Sequence, residues 1–373
     1  MKTTLSMISC LTLTVGCATT DDVAGLQRQA VHAQGANFGH LSFDVAANTL
    51  RWTEAGAYRQ LNLATNQLVV GSSHVDGGPW GLAKLNDRWF EGHNTHCDAA
   101  SATANCTDAG VATVLDASND QVISEVRDLY EPSALQAQGD HLVVLAAGVG
   151  GEQPCRGVGE LGWVLGVSAD GARTFRGPTE VLPRYLVPAL GGLYYSAGFD
   201  PIDAASPCAM PSAYTEQRRV LRRLAGSDVA TVTAAALHNQ QVMPLAGNAT
   251  ELVAAVSNDA GTAVLRLDAN NRTQPILQLP SSQLVDAAAI TPDGYLVAVT
   301  DLVAVACTSA ADVAPCFARG DSTVLAVGLD GNIGQAWDLG TTQVASMLNI
   351  VGRTFVATNR NIIELTSTVD TNQ

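Results

Sequence analysis

The residues best equipped for chemistry are cysteines, and their spacing limits what that chemistry can be. CDAASATANC, from Cys97 to Cys106, and CTSAADVAPC, from Cys307 to Cys316, are ten-residue segments closed by cysteine at both ends. Paired sulfurs can ligate a metal, exchange with other thiols or form a staple. In GHNTHC, His93 and His96 precede Cys97, a set that could hold zinc or copper. The second segment has no neighbouring histidine, and neither shows the C-x-x-C spacing of zinc ribbons and redox dithiols. Cys155 and Cys208 bring the set to six, an even number that suits disulfides in an oxidising compartment. The expectation is therefore staples and no resident metal, with zinc or copper at GHNTHC as the alternative.

The first residues point to such a compartment. MKTTLSMISCLTLTVGC combines the charge of Lys2, an apolar run from Leu5 to Val15 and the small residue Gly16. The run is too short to span a bilayer and has the form of an export signal. Its end, Thr14-Val15-Gly16-Cys17, resembles the bacterial lipoprotein signal, whose cysteine becomes the lipidated first residue. That resemblance implies removal of residues 1–16, lipidation at Cys17, and an outer-membrane or cell-surface location, because no Asp follows the cysteine. Thr14 stands where the family usually has an aliphatic residue, so cleavage after Ala18 to a periplasmic or secreted soluble protein is the alternative. Over 373 residues, 20 Lys plus Arg face 35 Asp plus Glu, a net charge of -15. Nucleic acid is excluded as a partner, because phosphate binding needs concentrated positive charge.

The elements that must position these residues show up as a repeat. One pattern, apolar strand, tight turn, apolar strand, recurs seven times, for example as LSFDVAANTLRW (41–52), WGLAKLNDRWFEG (80–92) and ASMLNIVGRTFVATN (345–359). The turns centre on Asn, Asp or Gly, which accept the backbone angles of hairpins. They lie roughly fifty residues apart, the period of a four-stranded propeller blade. Each of the first six copies is followed by a second hairpin, and the seventh by one more strand, NIIELT. The expected fold is all-β, a seven-bladed β-propeller of four-stranded antiparallel blades, with six blades as the alternative. AVHAQGANF (30–38) is placed to supply the missing outer strand and close the ring, although 22–34 also has the pattern of a short helix. The expected organisation is a signal over 1–16, a tether and ring-closing strand over 17–37, and the propeller over 38–373.

TPDGYLVAV and LDGNIGQAWDLG resemble blades of the broad seven-bladed superfamily, in particular its degenerate YVTN and quinoprotein-like repeats. With strands A to D numbered outward from the axis, all six cysteines fall in B-to-C connections, on one face. The placement suggests the pairs 97–106, 307–316 and 155–208. Ligands of such folds usually sit over the axis on that face. The polar residues near the starts of the A strands would ring it: Asp76, Glu131, Arg184, Tyr185, Gln241, Gln283 and Asp286, with Trp80 nearby. Longer B-to-C connections add Glu152, Arg156, Glu160, Asp200, Asp203, Asp312, Arg319 and Asp321. RRVLRR (218–223) reads as an outer strand whose charges block edge pairing, with a polyanion site as the alternative. The expected function is binding or scaffolding of an envelope protein or glycan through the disulfide-braced face, with membrane contact through the anchor alone. The alternative is a hydrolase, lactonase or lyase whose axial acids hold calcium, as the resemblance to lactonase-type propellers implies.

Overall fold

The computed structural model describes residues 26–34, 38–54, 57–70, 79–94, 109–116, 121–149, 161–181, 183–198, 219–237, 240–258, 260–306, 316–350 and 352–367. Strand β1 (Leu26–Gln34) stands apart in sequence from the meanders that follow. The first meander is β2 (Phe38–Asp44), β3 (Thr49–Glu54), β4 (Ala57–Asn62) and β5 (Gln67–Val70). The second is β6 (Pro79–Leu85), β7 (Arg88–Asn94), β8 (Ala109–Asp116) and the first half of β9 (Val122–Gln138). The rest of β9 opens the third, with β10 (His141–Val149), β11 (Leu161–Ser168) and β12 (Arg173–Val181). The fourth holds β13 (Arg184–Ala189), β14 (Gly192–Gly198), β15 (Arg219–Ala225) and β16 (Asp228–Thr231). The fifth holds β17 (Gln241–Gly247), β18 (Leu252–Asn258), β19 (Gly261–Leu267) and β20 (Thr273–Leu279). The sixth holds β21 (Gln283–Thr291), β22 (Gly294–Val305), β23 (Cys316–Gly328) and β24 (Ile333–Gly340). The seventh is β25 (Val344–Ile350), β26 (Arg353–Thr358) and β27 (Asn361–Ser367), and β1 completes it.

The inner strands β2, β6, β9, β13, β17, β21 and β25 neighbour one another in that order, and β25 returns to β2. This is the cyclic arrangement of a β-propeller. β1 runs antiparallel to β27, with Leu26 opposite Ser367 and Ala30 opposite Ile363. The first described segment of the chain is thus held by the last, which removes an edge that would otherwise template aggregation. The helical pattern over 22–34 is overturned, because residues 26–34 pair as a strand. The expected closing segment, 30–38, lies four residues too late, and Phe38 already belongs to β2.

Burial follows position in the blade. The second strands are covered on both faces by the adjoining blades, so β14 is buried along its whole length and β22 over Gly294–Thr300. Such strands read as continuous apolar runs. Outer strands such as β24 alternate, burying Trp337 and Leu339 and exposing their neighbours. Turn chemistry explains where the strands end. Asn48 and Asn86 take φ of 49° and 55°, the left-handed region that asparagine tolerates. At Gly294, φ is 148° and an added Cβ would lie 2.2 Å from the Val327 carbonyl oxygen, so only glycine fits. The fifth turn is longer than two residues: Asn248 Oδ1 accepts from the amides of Thr250 and Glu251 before β18 begins.

Among the described residues, six apolar clusters fill the spaces between successive meanders, from second against third round to seventh against first. The interface of the first and second meanders also carries charge. Arg51 on β3 pairs with Glu91 on β7 at 2.6 Å, with both side chains buried, and Lys84 on β6 pairs with Asp44 on β2. Arg353 ties the ring closure: its Nε and Nη2 donate to both oxygens of Glu364 on β27, and Nη1 reaches the Leu63 carbonyl of the first meander.

Candidate functional site

A cavity of about 470 Å³ opens where the fourth to seventh inner strands begin, on the face of the B-to-C connections. Four of the eight expected axial residues line it, Arg184, Tyr185, Gln241 and Asp286, whereas Gln283 donates to Asp301 at 2.9 Å and is not in the lining. Trp80 lies on β6 and Glu131 on β9, whereas Asp76 falls outside the described residues. The same is true of Cys17, Cys97, Cys106, Cys155, Cys208 and Cys307. Cys316 is disulfide-bonded. It opens β23 opposite Val305, so the connection expected to be loop there continues as a hairpin above the blade.

Irregular pairing aims the cavity residues. Register shifts occur between Arg184 and Val187, between Val285 and Ala287, and between Val344 and Ser346. Tyr185, Asp286 and Ala345 sit inside them, and all three line the cavity. Trp80 occupies the equivalent place between Pro79 and Gly81. A bulge frees its extra residue from the ladder and redirects the side chain, a device found beside functional sites. Tyr185 has φ of 60°, which is strained for an aromatic residue, and is 44% exposed.

Charge in the described lining is mostly positive. Arg219, at the start of β15, is buried; its Nε donates to Ser196 Oγ at 3.1 Å and its Nη2 to the Ser196 carbonyl at 3.4 Å. Ser196 Oγ in turn donates to the Arg184 carbonyl at 3.5 Å. A single parallel bridge sets Arg219 opposite Gln241 and joins the fourth meander to the fifth. Arg319 Nη1 donates to Asp286 Oδ1 at 2.6 Å, and Thr300 Oγ1, itself 2.6 Å from Ser322 Oγ, donates to Oδ2. Asp286, its side chain 5% exposed, thus has both oxygens engaged. Among the described residues, three guanidinium groups and one carboxylate line this cavity, in a chain of net charge -15.

RRVLRR is therefore not an edge. β16 pairs outside β15, Arg219 turns inward to the cavity, Arg222 Nη1 donates to Thr231 Oγ1 and Arg223 Nη2 to the Leu190 carbonyl. Calcium takes six to eight oxygen ligands. The described lining does not fit it, because its carboxylate is held by Arg319 and Thr300. Among the described residues no group of three or more His, Cys, Asp or Glu comes together. A second cavity, about 580 Å³, lies at the tight-turn end between the sixth and seventh meanders, bordered by Asp293, Asp330 and Asn349. No motif or spacing in the chain points to it.

No protein-family model matches the chain, and no curated protein matches it in sequence. Solved structures do match in fold. A streptogramin B lyase structure superposes with a TM-score of 0.57 at 9% identity, over 92% of this chain and 98% of that one. The β-propeller domain of Cps50 (Swd1) from Myceliophteria thermophila gives 0.56 at 8% identity, covering 91% and 99%. A chain of the mitotic checkpoint complex gives 0.56 at 8% identity, covering 92% and 94%. At these identities the likeness extends to the fold, a β-propeller, and no further.

Proposed function

We propose that this chain is a binding propeller of the cell envelope, seven-bladed, exported and lipid-anchored through Cys17, which takes its ligand over the axis on the face of the B-to-C connections. The observation that carries this reading is the state of Asp286, the one carboxylate among the described residues of the lining. Asp286 is paired with Arg319 and hydrogen-bonded by Thr300, and both contacts oppose its use as a base or a cation ligand. The remaining polar side chains at the mouth, Arg184, Tyr185 and Gln241, are exposed groups suited to holding a ligand in place. The seven inner strands in cyclic contact support the blade count.

The test is capture against turnover. Purified protein is incubated with native envelope extract, and retained molecules are identified by mass spectrometry for the wild type and for Arg184→Glu. Capture that the variant loses is the expected result. Turnover of a lactone or ester panel that depends on added calcium, with no retained ligand, would sink the binding reading. Cys17→Ala is expected to move the protein from the membrane fraction to the soluble one; unchanged fractionation would remove the anchor from the proposal.

A further inference from the structure

We infer that the axial cavity recognises a carboxylate-bearing sugar unit, a uronic acid residue, with Arg184 as the carboxylate clamp; this rests on the binding reading above. The chemistry of the wall divides into three parts. Positive charge is concentrated at Arg184, Arg219 and Arg319, and two of these are committed: Arg219 to Ser196 and Arg319 to Asp286. Arg184 is exposed at the mouth, and its planar fork matches a carboxylate. The cavity, about 470 Å³, is at the small-ligand end of binding sites, room for one or two sugar rings.

The second part is neutral and hydrogen-bonding. Gln241 and Gln343 each bring a donor and an acceptor to the wall, which is what vicinal hydroxyls require. The third part is apolar. Tyr185, Met243 and Val285 offer faces against which the C–H side of a pyranose ring can lie. Tyr185 holds its place at the mouth in a left-handed conformation that asparagine or glycine would adopt with less strain. Packing does not require backbone strain at an exposed aromatic in a cavity wall, and a stacking role accounts for it. A bare anion site would need the arginines alone, and a neutral sugar site would need only the amides and the tyrosine.

The experiment is titration calorimetry on the full exported chain with methyl glucuronoside and methyl galacturonoside, their neutral methyl glycosides, and inorganic sulfate. A uronoside is expected to bind at least about tenfold tighter than its neutral counterpart and than sulfate. Arg184→Gln should remove about tenfold or more of the uronoside affinity and leave the neutral glycoside unchanged. Arg272→Gln, on a turn outside the cavity, serves as the charge control. Tyr185→Gly should weaken both glycosides while leaving or raising the melting temperature, because the backbone strain is relieved. Equal binding of acidic and neutral glycosides overturns the carboxylate clamp, and sulfate binding as tightly as a uronoside overturns the sugar. If no uronoside binds while envelope capture persists, this inference fails and the binding reading stands. Loss of both capture and titration removes the two together.

Discussion

Glu91→Gln changes one atom type in the interface of the first two meanders and leaves its shape intact. Arg51 Nη2 lies 2.6 Å from Glu91 Oε1, with side-chain exposures of 2% and 0%, and the guanidinium stands 4.9 Å from the centre of the Trp89 ring. The substitution leaves a buried cation facing a neutral amide. Breaking a buried pair from one side costs about 3–5 kcal/mol, because the remaining charge keeps its desolvation penalty. With an unfolding entropy of about 2.1 cal/mol/K per residue, a chain this long changes by about 0.8 kcal/mol per degree, so the melting point should fall by about 4–6 °C. Arg51→Met alone should cost a similar amount. The double variant Arg51→Met/Glu91→Leu removes both charges and should recover most of the loss, since well-packed apolar pairs replace buried ion pairs at little or no cost. Differential scanning calorimetry of the four proteins, at one scan rate and with reversibility checked, gives the coupling directly. A single-variant loss below about 1 °C would show that water reaches the pair. A double variant at the sum of the single losses would show that the two residues do not act as a unit, and either result refutes the reasoning.

Three further outcomes follow from other contacts. Gly247→Ala would bring a Cβ to 2.4 Å from Ala189 Cβ and 2.5 Å from the Pro188 carbonyl oxygen, and this overpacking of the fourth and fifth meanders should cost about 1–3 kcal/mol in urea unfolding. A midpoint within error of wild type would show that the inner strands slide freely. Burial works to raise the Asp44 pKa, but the Lys84 ammonium and the Ala47 and Ala46 amides outweigh it and hold the carboxyl below its ordinary value of 3.8. The unfolded chain then binds the proton first, so the stability from this contact is present above about pH 4 and is lost as pH falls through the lower native value. The stability difference between wild type and Lys84→Met should therefore shrink on acidification; a constant difference from pH 6 to pH 3 would contradict it. Unreduced peptide mapping should find Cys307 linked to Cys316 and Cys97 to Cys106, each short loop contributing roughly 2–3 kcal/mol in the chain-entropy model. Free thiols at Cys97 and Cys106 would refute the staples.

The fold is legible in the chain because a propeller repeats its constraints. A second strand covered on both faces has to be apolar throughout, as in YLVAV from Tyr295 to Val299, and a tight hairpin such as those at Asn48, Asn86 or Gly352 needs a residue that accepts a positive φ. Those two demands return with each blade, and their period shows without any motif. Ring closure is less legible. LQRQAVHAQ has neither strict alternation nor a continuous apolar run, since its partner β27 is an inner neighbour on one side only, and the same residues satisfy a helical pattern. What decides for strand is the unpaired edge of β27, a tertiary demand that local propensity does not contain.

The candidate site is half legible, for a geometric reason. A residue at the start of an inner strand can be found by counting, and counting finds Arg184, Tyr185, Gln241 and Asp286. The third strands start on the same face, however, because each B-to-C connection emerges beside the mouth. Arg219, Thr262 and Arg319 stand near the beginnings of β15, β19 and β23, and all three line the cavity. Counting inner strands thus gathers Asp76, Glu131 and Asp286 with Arg184, and leaves Arg219 on an outer strand and Arg319 among the B-to-C connections. That omission reverses the apparent chemistry. The acids of that set suggest a cation site, whereas Asp286 with Arg319 at 2.6 Å, and Arg219 and Arg184 in the same wall, make a described lining whose uncommitted charge is positive. In a chain this acidic, arginines gathered at one mouth attract anionic ligands locally against the repulsion of the whole surface. Small anions or single acidic residues of a larger molecule are thereby favoured over extended polyanions.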